Sequence, residues 1–227
     1  MLAAASPGAG QAELRRLVLE SNVAGKTSAA SRSKLWLQLR QRYALDINDP
    51  EYQALLAAMR HTGSPRERGY LCFLMFARHD RLFRQLTLAC VSPLLARQGA
   101  VVASATVDDY LADLAAERRF SWTRETAVTV RQHALSALKD CGLLTGAVVK
   151  RTNTPQPGPN VTLFAARLGR LEGLTDRQVI GCRWFGLLGL SPAQVVDLLY
   201  AAAREGVLAF RMQADVVELT LPPLEEL

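Results

Sequence analysis

Residues 137–164 read ALKDCGLLTGAVVKRTNTPQPGPNVTLF. The stretch starts as the end of a helix, is stopped by Gly142, and passes into two β-type runs at 147–149 and 161–164. Between them lies KRTNTPQPGPN, with two cations, three prolines and one glycine. A tight hairpin needs only about two residues in its turn. Pro155, Pro157 and Pro159 therefore predict a long, stiff hairpin finger, and Lys150 and Arg151 make it basic.

Upstream, the spacing predicts an amphipathic helix over 107–119, a turn at 120–123 and a long helix over 124–141. Helix, turn, helix and hairpin in that order is the winged-helix arrangement, in which the second helix enters a groove and the hairpin lies along the neighbouring backbone. On helix 124–141, Ala127, Val128, Val130, Ala134, Leu135 and Leu138 share one half of the wheel. Glu125, Thr126, Thr129, Gln132, His133, Ser136 and Lys139 fill the other. Hydroxyl and amide groups of this kind bond base edges and phosphates. Arg131 falls on the apolar side, which the pattern does not explain. The candidate DNA-binding residues are Arg124, Thr126, Thr129, Gln132, His133, Ser136 and Lys139 on the helix, and Lys150, Arg151 and Asn153 on the finger. Gln132 and Arg124 are the best-suited base readers. The competing reading is a solvated loop whose prolines block edge pairing.

The 227 residues suffice for one large or several small domains, and 49% hydrophobic with 21% charged content is that of a globular protein. The net charge of +6 is unevenly spread: residues 1–113 carry +4, residues 114–170 carry +6 and residues 171–227 carry −4. A cationic middle beside an anionic end points to a polyanion partner for one part and a different role for the other. A second basic run holds Arg15, Arg16, Lys26, Arg32, Lys34, Arg40 and Arg42 against the single acid Glu20. Helical surfaces often look like this, yet the scarcity of acids adds Lys26, Arg32, Lys34 and Arg40 to the phosphate-tracking candidates.

The first hundred residues read as helices. One covers 12–21, a second opens at Ser31 and runs through Tyr43, and Asp49-Pro50-Glu51 starts a third. Ser64-Pro65-Arg66-Glu67 starts a fourth, rich in aromatics, and residues 81–97 form a fifth that Pro93 bends. Residues 100–105 read as a short strand or a linker. Near the C-terminus the pattern repeats: a helix over 175–188, a capping box at Ser191 opening a helix to Glu205, then two strands around Gln213-Ala214. That last helix is apolar (Val195, Val196, Leu198, Leu199, Tyr200), so this second winged-helix-like unit reads as a protein-binding module.

Several chemistries are excluded. Gly25-Lys26-Thr27-Ser28 has the ending of a phosphate-binding loop, but Glu20 stands where the first glycine must be and a helix precedes it. His61, His79 and His133 share no metal-ligand spacing, and Cys72, Cys90, Cys141 and Cys182 read as buried cytosolic thiols. No catalytic set is present, and neither a metal nor another cofactor is expected. No apolar run is long enough for a bilayer, and the expectation is a cytoplasmic protein.

Three stretches, ESNVAGKTSAASRSKLWLQLRQRY, GYLCFLMFARHDRLFRQL and FSWTRETAVTVRQHALSALKDCGLL, together resemble the BrxA family, small proteins encoded in BREX bacteriophage-defence loci. The resemblance covers about residues 12–146 and is carried by the order and spacing of the motifs. It implies nucleic-acid binding within a host defence system, without catalysis of its own. The full expectation is a mainly α fold: a disordered tail over 1–10, a helical bundle over 11–99, a winged-helix unit with a long basic wing over 100–168 and a second winged-helix-like unit over 169–227. The expected partners are double-stranded DNA and, through the C-terminal unit, other defence proteins. The rival expectations are an adaptor that assembles defence enzymes and an RNA-binding protein acting through the N-terminal bundle.

Overall fold

Ser64 and Pro65 start the helix around which the molecule is built. In the computed structural model, which describes residues 10–43, 45–46, 48–118 and 121–224, the Ser64 hydroxyl accepts the backbone N–H of Glu67 and opens helix α4 (Pro65–His79). Tyr70, Leu71 and Phe73 to Ala77 are all buried. Each large apolar side chain so placed contributes about 1.5–3 kcal/mol relative to exposure. Asp80 ends α4 and caps α5 (Arg81–Leu86) by accepting from Phe83 N–H at 2.9 Å, which folds Phe83 back to stack on Phe76 at 4.2 Å.

Helices α1 (Gln11–Leu19), α2 (Ala29–Tyr43) and α3 (Pro50–Arg60) precede α4. Asp49 caps α3 as its sequence predicts, accepting from Glu51 and Tyr52 N–H at 2.7 and 3.2 Å. Helix α2 starts earlier than expected: Ser28, not Ser31, supplies the capping oxygen, to Ser31 N–H at 3.1 Å. Residues 1–9 of the expected tail lie outside the described residues, and Gly10 already caps α1.

The segment after α5 is bent, but not as one kinked helix. A π-helical turn (Thr87–Val91) passes into a 3-10 turn (Ser92–Leu94) where Pro93 removes a donor. Strand β1 (Val101–Val102), α6 (Ser104–Glu117), α7 (Arg124–Asp140), β2 (Leu144–Thr145) and β3 (Lys150–Thr152) follow. The strands form an antiparallel sheet in the order β1-β3-β2, pairing Val101 and Thr145 with Arg151, Val102 with Lys150 and Leu144 with Thr152.

The opening stretch departs from its reading in three places. Residues 147–149 are turn, not strand, because the chain already reverses at Gly146, whose φ of +89° suits glycine alone. The proline-bearing stretch is no hairpin tip: Pro155 and Pro157 are buried, and it runs from β3 back across the core. Residues 161–164 are not a strand but the first turns of α8 (Pro159–Leu171), opened by Gly158 and by Pro159 at its first position. Val161 to Gly169 are all buried. The opening run of α8, Val161-Thr162-Leu163-Phe164, is short and apolar or β-branched throughout, and such a run cannot be told from a strand by period alone.

Helix α8 packs against α3 and α4 on one side and against α9 (Asp176–Ile180), α10 (Arg183–Leu187) and α11 (Pro192–Arg204) on the other. The helix expected over 175–188 is therefore two, broken where Cys182 turns extended to cap α10. Ser191 makes the expected capping box. The closing hairpin pairs β4 (Ala209–Gln213) with β5 (Val216–Thr220), and its two-residue turn is Ala214-Asp215, one residue later than expected, with Ala214 at φ +50°. The protein is mainly helical, with two small antiparallel sheets.

Candidate nucleic-acid interface

Thr123 caps α7, its hydroxyl accepting from Thr126 N–H at 3.2 Å. Ala134, Leu135 and Leu138 bury the inner face. Glu125, Thr129, Gln132, Ser136 and Lys139 are exposed along one line of the helix, with Arg124, Thr126 and His133 exposed beside them. All seven residues picked from this helix by sequence thus reach solvent on one connected surface. Neither Arg124 nor Lys139 has a carboxylate partner within ion-pair distance among the described residues. Thr129 donates its hydroxyl to Glu125 C=O at 2.8 Å, leaving the oxygen able to accept.

Arg131, which the pattern left unexplained, pairs with Asp108. It lashes α7 to α6, so its place on the inner side is structural. Gly69 brings α7 close to α4: a Cβ there would lie 2.6 Å from the Cys141 carbonyl. Burial pushes the Cys141 thiol upward and raises that of Cys72 to about 11, so neither is a ready thiolate. All four cysteines are free.

The hairpin cations are more engaged than expected. Lys150 Nζ donates to Gly146 C=O at 3.0 Å and Ala147 C=O at 2.7 Å, keeping one of its three N–H groups for another partner. Arg151 donates to Gly99 C=O at 3.1 Å and stays exposed beside Val101 and Thr145 on the outer face of the sheet. Asn153 is a fastener: its amide donates to Gly142 C=O at 2.8 Å, and its backbone N–H to Leu143 C=O at 2.9 Å. It holds the start of β2 to the end of β3 and has little left for phosphate.

Lys26, Lys34 and Arg40 are exposed and Arg32 is half-buried. Lys26 sits in a loop clamped by Asn22, whose carboxamide bonds both its N–H (2.8 Å) and its C=O (3.0 Å). The far end of α2 is the one that meets α7. There Arg42, which sequence reasoning did not single out, lies 4.4 Å above the Phe76 ring. With Phe83, Val130, His133 and Ala134 it lines a recess of about 170 Å³. Lys26 precedes the start of α2, so about 20 Å of helix separates it from Arg42. Helix α7 packs against β2, the partner strand of the one that carries Lys150 and Arg151, and Arg42 shares its recess with Val130, His133 and Ala134 of α7. The structure leaves Lys26 at the distant end of the basic run.

Among the described residues no cluster of three or more His, Cys, Asp or Glu side chains is placed to hold a metal ion. No single helix among them is long and apolar enough to cross a membrane.

A carboxylate network stands apart from this surface. Arg78 bridges Glu51 at 2.7 Å and Glu172 at 3.0 Å, while His79 approaches Glu51 at 3.4 Å and Arg183 approaches Glu172 at 3.4 Å. Trp184 Nε1–H donates to Glu172 at 3.2 Å. Hydrogen bonds from His79 and then Arg78, against the opposing effect of burial, hold the Glu51 carboxyl down to about 2. The network ties α3 and α4 to α8 and α10.

The BrxA family model matches residues 2–168, which include the whole of α7 and both strands of its hairpin. No curated protein matches the chain. The chain belongs to the BrxA family and is a protein of a BREX bacteriophage-defence system.

Proposed function

We propose that this BrxA-family chain is a non-catalytic, cytoplasmic, double-stranded DNA-binding accessory protein of its defence system, gripping phosphates with low sequence specificity. In this reading β1, α6, α7 and the β2–β3 hairpin form a winged-helix unit, α7 lies in the major groove, and the hairpin follows the adjoining backbone. The order of the elements and the β1-β3-β2 pairing support it. The observation that carries it is the outer surface of α7: hydroxyls, an amide, Arg124 and Lys139 are exposed there with Glu125, and among the described residues no carboxylate lies within ion-pair distance of either cation. Arg151 and the remaining donor of Lys150 extend that surface. With Gln132 and Arg124 as the base readers on hand, discrimination between sequences is low.

The test is fluorescence anisotropy of the full chain with labelled duplex, with single-stranded DNA and RNA as competitors. The proposal expects the duplex to be bound and to outcompete RNA. A preference for RNA instead points to the N-terminal helices.

A second reading, docking of another defence protein on the C-terminal unit, is favoured by a mainly apolar recess of about 380 Å³. Ile180, Pro192, Ala193, Val196, Met212 and Val217 line it, with Arg177 at its rim. It predicts co-purification of a partner that Val196→Asp abolishes without changing duplex binding.

A further inference from the structure

We propose that the turn of the β2–β3 hairpin is an apolar probe for the minor groove, with Val148 seated between the sugar walls of a duplex. The inference rests on the duplex-binding reading above. It adds a contact of a different chemical kind from the phosphate contacts.

Turns are ordinarily built from Asn, Asp, Ser, Gly and Pro. This one is Gly146-Ala147-Val148-Val149, without a single polar side chain. Val148 is 93% exposed and Val149 51%. A lone exposed valine is commonplace, but this one stands on a fixed mount. A Cβ at Gly146 would fall 2.0 Å from the Val149 carbonyl, so the turn closes as tightly as a glycine permits. Lys150 Nζ then clamps it from behind through the Gly146 and Ala147 carbonyls. A preorganised turn loses little entropy when a partner covers it.

The surrounding charge selects the partner. Lys150 and Arg151 flank the turn, and Lys139 stands exposed near the end of α7, so the cover is apolar in its interior and anionic at its rims. The minor groove fits that description, with deoxyribose walls, base edges at its floor and phosphates along both edges. It is about 6 Å wide, which admits a valine on a narrow turn more readily than an aromatic ring. The turn begins six residues after α7 ends at Asp140, so a duplex holding α7 in its major groove offers the next minor groove to it. Apolar side chains of other minor-groove proteins contact or wedge the base steps in this way.

The experiment measures duplex affinity of the full chain by anisotropy, for wild type, Val148→Ser and Val148→Ile. The serine variant is expected to bind about five- to tenfold more weakly, with the salt dependence unchanged, because apolar contact and not charge is lost. The isoleucine variant is expected to keep wild-type affinity. Netropsin, which fills the minor groove, is expected to weaken wild type and leave the serine variant nearly unaffected. All three proteins are expected to melt together, since the side chain packs against little. Equal binding by wild type and the serine variant, or equal inhibition of both by netropsin, overturns the seat proposed for Val148 while leaving duplex binding intact. Failure of the wild-type chain to bind duplex at all overturns the parent reading with it.

Discussion

Two parts of this molecule use the same order of elements and present opposite surfaces. In the first, α6 and α7 lead to the β2–β3 hairpin; in the second, α9, α10 and α11 lead to the β4–β5 hairpin. The helix before each hairpin starts at a hydroxyl cap, Thr123 or Ser191, and is followed by a glycine of positive φ, Gly142 or Gly206. The outer surface of α7 carries threonines, a serine, a glutamine, a histidine and cations, with Glu125 at its start. Helix α11 turns Pro192, Ala193, Asp197 and the half-buried Val196 and Leu198 outward. The sequence segments containing them differ in net charge by ten, from +6 over 114–170 to −4 over 171–227. A shared scaffold therefore says little about function, and the side chains on its outer helix decide it.

The comparison breaks most sharply at Gly69. Gly69→Ala sets a methyl group against the Cys141 carbonyl and forces α4 from the end of α7. Overpacking of this kind costs about 1–3 kcal/mol, a fall in Tm of about 2–12 °C for a chain of this size. Hydrogen exchange is expected to show the loss in α7 and β2, with α11 still protected. Equal loss in both units shows that they do not respond separately.

A smaller effect is expected at Asn153. Its replacement by Ala removes the amide bond to the Gly142 carbonyl, at a cost of about 1–2 kcal/mol. Duplex affinity is expected to change little, because the side chain acts as a fastener. A large affinity loss in a variant of unchanged stability restores Asn153 as a phosphate contact.

The network that ties α3 and α4 to α8 and α10, apart from α7, gives a pH effect. Glu51 has a folded pKa of about 2, below its ordinary value of 4.5. The stability it contributes is therefore present above 4.5 and is lost as pH falls toward 2. Glu51→Gln is expected to flatten the decline of thermal stability over that window and to leave duplex binding at neutral pH unchanged. An acid decline as steep as that of wild type shows that other carboxylates govern it.

Much of this contrast was legible in the sequence, and the failures have physical causes. Caps at Asp49, Ser64 and Ser191 are local, so the helices they open stand where the motifs put them. Outer residues of α7 were legible because one buried face at period 3.6 defines the other. Helix α8 was not, since its opening run Val161-Thr162-Leu163-Phe164 has the composition of a strand and Pro155, Pro157 and Pro159 at its approach resemble a loop. The hairpin was placed too far along because Gly146 reverses the chain within a stretch whose strands are only two and three residues long. Arg131 could not be explained because Asp108 is 23 residues away, and such pairings leave no local trace. Arg42 was one of seven cations in the basic run, and only packing shows that its end of α2 is the one at α7.

The slope of duplex affinity against salt concentration tests the central claim most directly. Each phosphate neutralised contributes about 0.9 to the log–log slope. Wild type is expected to lose affinity steeply with salt, and Arg124→Glu with Lys139→Glu to reduce the slope by about two, while Arg204→Glu with Arg211→Glu in the second unit leaves it unchanged. A salt-independent affinity, or an equal loss from either pair of substitutions, contradicts the assignment of duplex binding to α7 and its hairpin.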